Sequence, residues 1–313
     1  MLSLGHRSHG VSPPRVAVVF NNAPSDGIAE YRYYKAFVRG LRARGLEEGR
    51  DLVLLPRSAD GEYDRLPQLM RQLVSESVRV IVASGPGVGA AFRQTRTIPI
   101  VAVQTDGLVE FGAAATLARP SGNVTGLTAE VDDLGKMAAK RLQLLHEAVP
   151  SASRIAVLGY DLHRVDLSRV SLESAAHPFG QTVVWANARS VQDFNTAFTI
   201  IEKERANALY VEAQAATYRM LREIIGFAAA RRMPSMFEFR EGPEHGGLIS
   251  YGADLADLYT RSASLVDKIL KGAKPGDLPI EQPTKFDLIV NRNTAKTLGI
   301  ALPQVLLTRA ELI

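Results

Sequence analysis

One order of apolar and amphipathic runs occurs twice along this chain, each time over roughly 90 residues, and that repetition limits what it can fold into. The first copy opens with Arg15-Val-Ala-Val-Val-Phe20, a continuous apolar run of the kind a buried parallel strand requires. Turn-forming residues from Asn21 to Gly27 follow, and then Ile28, Tyr31, Tyr34, Phe37, Val38 and Leu41 recur at helical spacing until Gly45. Further strands are predicted at 51–55, 78–83 and 98–103. Leu66, Leu69, Met70, Leu73 and Val74 mark a helix, and a shorter one spans 88–95. The second copy places strands at 154–158, 182–186, 208–211 and 234–237. Its helices are predicted at 162–176, around Val191, Phe194, Phe198 and Ile201, and around Tyr218, Leu221, Ile224, Ile225 and Ala228. Each copy therefore reads β-α-β-α-β-α-β. Such alternation implies right-handed crossovers and a doubly wound parallel sheet, so the chain is expected to form two similar α/β lobes. Breaks at Arg119-Pro-Ser-Gly-Asn-Val-Thr-Gly126, at Gly246 to Gly252 and at Lys274-Pro-Gly-Asp-Leu-Pro279 predict three chain crossings between the lobes, the geometry of a hinge.

The bulk numbers agree with two domains and exclude several classes of protein. A chain of 313 residues, 46% of them hydrophobic, can bury a sizeable core in each of two domains. Charged residues make up 22% without any low-complexity tract, which excludes global disorder. The formal net charge is +4, but the charges are interspersed. Arg39, Arg42 and Arg44 are the nearest thing to a basic stripe and read as a solvated helix face, so no nucleic-acid partner is expected. The absence of cysteine rules out disulfides, thiolate catalysis, zinc–thiolate sites and a lipid anchor on cysteine. No apolar stretch approaches the ~18 residues of a membrane span. Residues 1–14 are polar, are expected to be disordered, and carry no apolar core of a secretory signal; such a signal is expected upstream of Met1 or already removed.

In open parallel sheets ligands sit beyond the carboxyl ends of the strands. Here those ends carry Asn21 and Asn22, Ser84 and Gly85, Gln104, Thr105 and Asp106, Tyr160 and Asp161, Glu212, and Glu238; Thr128 and Tyr251 complete the predicted ligand-binding set. Ser84 and Gly85 precede a helix, so their N–H groups and the serine hydroxyl can meet a carboxylate. Thr105 and Thr128 can add hydroxyl donors, Glu212 or Glu238 can receive an ammonium group, and Tyr160 and Tyr251 can cover an apolar or aromatic part. Gly85-Pro-Gly-Val-Gly-Ala90 has the loose form of a dinucleotide fingerprint, with Asp106 about 20 residues on. It follows the third strand of its unit rather than the first, and Pro86 stiffens the turn, so no cofactor is expected. The six histidines are scattered and form no metal set. Neither a nucleophile elbow nor a phosphate-binding loop occurs. Two alternatives stay open: an enzyme on a doubly wound fold, using Glu212 and Glu238 as an acid/base pair, and a cytosolic ligand sensor. The sensor reading is weakened because some fourteen residues before the first strand cannot hold a helix-turn-helix. Asn123-Val-Thr125 fits a glycosylation acceptor but reads as a linker turn, and Trp185 reads as core.

Four longer stretches resemble one family. They are Leu117-Ala-Arg-Pro-Ser-Gly-Asn-Val-Thr-Gly126, His245-Gly-Gly-Leu-Ile-Ser-Tyr-Gly252, Ile269-Leu-Lys-Gly-Ala-Lys-Pro-Gly-Asp-Leu-Pro279 and Gln282-Pro-Thr-Lys-Phe-Asp-Leu-Ile-Val-Asn291, the last with Thr294-Ala-Lys-Thr-Leu-Gly299 behind it. Together they are similar to the tryptophan/tyrosine-type substrate-binding proteins of ABC transporters, and the resemblance runs from about Arg15 onward. It implies a class I periplasmic-binding-protein fold, with one lobe of 15–122 plus 250–280 and the other of 123–249 plus 281–313. It implies a non-enzymatic, monomeric, extracytoplasmic protein. Such a protein captures a small organic solute (an amino acid, aromatic or not, or a related small acid) between its lobes and delivers it to an ABC permease in the membrane. Three loops depart from the family pattern: Asp106-Gly107 replaces Asp-Pro, Tyr160-Asp-Leu-His163 replaces an Asn-Pro-rich turn, and 212–216 is unusual. A ligand other than the family's usual one is the expectation those departures raise.

Overall fold

The computed structural model describes residues 12–129, 134–159, 162–188 and 191–313. In chain order the elements are β1 (Arg15–Phe20), α1 (Arg32–Arg42), β2 (Val53–Ser58), α2 (Leu66–Ser75), β3 (Val80–Ser84), α3 (Pro86–Gln94), β4 (Ile100–Val103), β5 (Val124–Leu127) and α4 (Leu134–Ala148). There follow β6 (Arg154–Gly159), α5 (Leu162–Ala176), β7 (Thr182–Asn187), α6 (Phe194–Lys203), β8 (Ala208–Val211), α7 (Ala215–Arg219), α8 (Leu221–Ala230) and β9 (Ser235–Phe237). The chain ends with α9 (Glu241–Glu244), β10 (Ile249–Ala253), α10 (Leu255–Leu270), β11 (Phe286–Val290), α11 (Arg292–Leu298), α12 (Gln304–Leu307) and β12 (Glu311–Leu312). They form two compact units: Met1–Thr128 with Leu255–Glu281, and Ala129–Asp254 with Gln282–Ile313.

The first unit is a five-stranded sheet in the order β2-β1-β3-β4-β5, parallel throughout. Its inner strands are apolar end to end because both faces are covered: all of β3 and β4 is buried. On one face Ala17, Val19, Ile81, Ala83, Ile100 and Ala102 pack with Leu66, Met70 and Leu73 of α2 and Val88 and Ala91 of α3. On the other, α10 packs on β3, β4, β5 and α1. The two helices approach so closely that a Cβ at Gly40 would lie 2.3 Å from the Thr260 carbonyl oxygen. Phe20, Tyr31, Tyr33, Tyr34 and Tyr259 form a ring cluster at the end of β1, with Tyr33 stacked on Tyr259 at 5.4 Å. Burial, with Glu48 nearby, pushes the Tyr34 hydroxyl up to about 12.

The second unit repeats the winding with additions: its seven strands run β12-β11-β10-β9-β8-β6-β7. Successive residues of β6 point to opposite faces, as the pleat demands. Ile155 and Val157 join Leu142, Leu145, Tyr210 and Met236 beneath α4 and α5, while Ala156 and Leu158 join Phe194, Ile201, Ile224 and Phe237 beneath α6 and α8. Trp185 packs half-buried against the former group, its Nε1–H donating to Glu173.

Four sequence expectations shift. The stretch 119–126 is not all linker, because Val124 to Leu127 pair with β4 as an edge strand of the first sheet. Asn123 is buried and donates to the Ile98 carbonyl, so it anchors that strand and is no glycan acceptor. Likewise β10 pairs with β9 and β11, so residues up to 254 belong to the second unit, and the divisions fall at 128, 254 and 281 rather than 122, 249 and 280. The second sheet is not wholly parallel, since β11 runs antiparallel to β10. After β11 the chain forms α11, α12 and β12.

Candidate functional site

Both sheets share the strand order in which the strand first in sequence lies between the second and third, which opens a crevice at the carboxyl ends of those strands. In the first unit that point lies between β1 and β3, and it is filled by polar groups. Asn21, next after β1, is 8% exposed; its Nδ2 donates to the Ser84 carbonyl at 2.9 Å and to Ser84 Oγ at 3.3 Å. The Asn21 Oδ1 is buried without a hydrogen-bond partner. Gly85 follows with φ +44° and ψ −123° at the start of α3, a conformation that L side chains reject. Its N–H donates to Thr105 Oγ1 at 2.9 Å, and that hydroxyl donates to the Val103 carbonyl. Asn22 Oδ1 accepts from the Tyr63 hydroxyl at 3.0 Å, which fixes the loop after β1. Gln104 turns the chain after β4 with φ +54°, and half-buried Asp106 follows. Thr128, just beyond β5, is buried, and its N–H donates to the Glu281 carbonyl. Thus Asn21, Ser84, Gly85 and Thr105 form one bonded group, while Asn22, Gln104, Asp106 and Thr128 end neighbouring strands of the same edge.

In the second unit Glu212 and Glu238, each 3% exposed, end the adjacent strands β8 and β9. Glu238 Oε1 accepts from the Ala213 N–H at 2.9 Å, and Oε2 lies 3.6 Å from Arg141 Nη1. Glu212 Oε2 accepts from Gln214 Nε2 at 3.2 Å. The loop between them is closed by Thr217: its Oγ1 donates to the Glu212 carbonyl at 2.6 Å and accepts from the Gln214 N–H at 2.9 Å, which starts α7. Glu212, Glu238, Thr217, Tyr218 and Glu241 line a cavity of about 30 Å³, room for one or two waters. Tyr251, on β10, packs on the core beside Phe286, and its carbonyl accepts from Arg141 Nε at 2.7 Å. Tyr160 and Asp161 lie outside the described residues.

Arg141 and Tyr210 are bonded into this polar cluster and did not stand out in the sequence. Arg141 is 3% exposed on α4, and it hydrogen bonds Tyr210, whose hydroxyl burial drives far above its ordinary range. The signal was present: Arg141 sits on the stripe that α4 buries, with Ala138, Leu142 and Leu145. A charge on an apolar helix face marks a buried partner. Chemically, the first unit's edge offers N–H and O–H donors at a helix start, and the second offers carboxylates with one guanidinium. Among the described residues no group of histidine and carboxylate side chains could hold a metal ion, and no helix is long and apolar enough to cross a membrane.

The sequence model of the family described as ABC transporter substrate binding protein matches residues 19–313. A curated tyrosine-binding protein of Clostridioides difficile is 24% identical over 271 residues, covering 85% of this chain and 76% of that one. A conserved domain protein of Vibrio cholerae, 26% identical, superposes with a TM-score of 0.82 over 96% of this chain and 99% of the other. An ABC domain from Streptococcus pneumonia solved with L-Trp has the same TM-score and coverage at 21% identity.

Proposed function

Since the chain belongs to the ABC transporter substrate binding protein family, we propose that it captures a small organic solute, an amino acid. In this reading strand-end N–H and O–H donors take the ligand's carboxylate and strand-end carboxylates take its ammonium. The observation that carries the reading is the bonded group of Asn21, Ser84, Gly85 and Thr105 at the switch point of the first sheet. A helix start with a hydroxyl and a positive-φ glycine is suited to a carboxylate. Glu212 and Glu238 supply the opposite charge, and the tyrosine-binding relative and the L-Trp complex make an aromatic side chain the first to test. The protein acts by binding and release rather than by catalysis, outside the cytoplasm, and hands its ligand to a membrane permease.

Calorimetric titration tests this directly. L-Tyrosine, L-tryptophan and small aliphatic amino acids are compared with aromatic acids that lack the amino group. At a hundredfold its Kd a ligand should stabilise the protein by about 2.7 kcal/mol. At least one amino acid is expected to bind, with its des-amino analogue at least tenfold weaker. Equal binding of the two would remove the carboxylates from the recognition scheme, and no binding by any amino acid would overturn the reading.

A further inference from the structure

The second unit carries a basic groove at the opposite edge of its sheet, where β8 and β9 begin. Its volume is about 350 Å³, and its walls include Arg205, Arg231 and Arg232 against a single carboxylate, Glu202. That volume falls within the range of small-ligand sites. The strand β8 starts at this groove and ends at Glu212, so four residues of extended chain, roughly 13 Å, separate it from the amino-acid edge.

Two features set these arginines apart from ordinary surface cations. Arg205 and Arg232 both stand in the left-handed region, each with φ +52°. Each closes a helix with the same pair of bonds: Arg205 N–H to Glu202 and Ala206 N–H to Ile201 after α6, Arg232 N–H to Ala229 and Met233 N–H to Ala228 after α8. That turn favours glycine, and α10 ends in it with Gly272. Arginine is strained there, and two neighbouring turns of one edge both accept the strain.

The second feature is charge. Arg231 is already satisfied: it pairs with Glu202 and lies 4.0 Å over the Phe227 ring. Arg232 donates Nη2 to the Thr297 carbonyl at 3.0 Å, which fixes its guanidinium without neutralising it. Among the described residues no carboxylate pairs with Arg205 or Arg232. The groove therefore holds two uncompensated guanidiniums in a chain whose whole formal net charge is +4. Guanidinium forks match oxyanions in planar, bidentate geometry.

We propose that the groove of Arg205, Arg231 and Arg232 is a second binding site, for a phosphate-class oxyanion. The anion is either free or borne by a lipid headgroup, and the site is separate from that for the transported solute. The test uses the full chain at fixed ionic strength. Inorganic phosphate is titrated calorimetrically, and in a parallel arm the protein is co-sedimented with vesicles of phosphatidylcholine alone or mixed with phosphatidylglycerol. Variant R205G/R232G removes both guanidiniums while relieving the turn strain, so its melting temperature should hold or rise while phosphate affinity falls at least tenfold. Variant R42A/R44A removes the same charge from the end of α1 and the turn after it, in the other unit, and should bind as the parent does. Saturable phosphate binding without vesicle capture identifies a free anion. Capture by the anionic vesicles that R205G/R232G abolishes identifies a headgroup. If R205G/R232G matches the parent in both arms, or R42A/R44A loses as much as it does, the groove is not an anion site.

Discussion

Arg141 and Glu238 form an ion pair shut away from water in the second unit: Nη1 lies 3.6 Å from Oε2, with the two side chains 4% and 3% exposed. Arg141 also donates Nε to the Tyr251 carbonyl, so one guanidinium ties α4 to β9 and β10 at the carboxyl edge of the sheet. Desolvating two charges is expensive, and their attraction repays it only when further hydrogen bonds complete the shell, as the Ala213 N–H does for Glu238. Removing one partner strands the other. Arg141→Met should therefore destabilise the protein by about 3–5 kcal/mol. The double variant Arg141→Met/Glu238→Met should lose less than Arg141→Met alone. Denaturant unfolding of both singles and the double, read as a mutant cycle, checks the order.

Ser84→Ala removes a hydroxyl that faces Asn21 at the first unit's switch point. A charge-assisted hydrogen bond to a ligand carboxylate is worth about 1.5–3 kcal/mol, so affinity should fall roughly tenfold or more. Glu238→Gln should weaken an amino acid's binding to a similar extent. Arg39→Ala, on the exposed face of α1, should leave affinity unchanged. Calorimetry on the three variants decides, and parent-like binding by both Ser84→Ala and Glu238→Gln would show that these strand ends do not form the site.

Asp60 pins the loop after β1 to the end of β2. It accepts from Ser25 N–H at 2.7 Å and Ser25 Oγ at 2.6 Å, and Arg65 lies 2.9 Å away. The Ser25 hydroxyl above all, helped by the Ser25 N–H and Arg65, holds the carboxyl below its ordinary value against the opposing effect of burial. A folded-state pKa that is depressed adds stability above the unfolded carboxylate value, and that stability is lost as pH falls through the folded one. Asparagine also tolerates the φ +53° found here. Asp60→Asn should thus be less stable than the parent at pH 7, and the gap should close as pH falls below about 4. Thermal melts across pH 3–7 measure it, and a gap that fails to narrow toward the acid end would contradict the assignment.

Gly40→Ala would drive a methyl group into the Thr260 carbonyl oxygen, 2.3 Å from the ideal Cβ, and into Ala263 at 2.8 Å. The α1–α10 contact must then open, and a cost of about 1–3 kcal/mol is expected from overpacking. Chemical denaturation should show it, with no change in affinity for an anion at the arginine groove of the other unit.

The β-α alternation, the two equivalent units and the eight strands of the two repeats were legible in the sequence, because a parallel strand covered on both faces must be apolar along its length and a covering helix must repeat every 3.6 residues. Those are local constraints, written within a few neighbouring residues. The polar strand ends were legible for the same reason, since Ser84, Glu212 and Glu238 each stand directly after an apolar run. What the tertiary structure alone decided is which distant groups meet. That Val124 to Leu127 would complete the first sheet, and that β10 would cross into the second, depended on backbone pairing with strands remote in sequence. That Arg141 would answer Glu238 across nearly a hundred residues depended on α4 lying over β9. The convergence of Arg205 and Arg232 followed from the adjacency of β8 and β9, which sets two helix ends side by side. Charge pairing and anion sites are properties of distance in space, and periodicity along a chain carries no record of it.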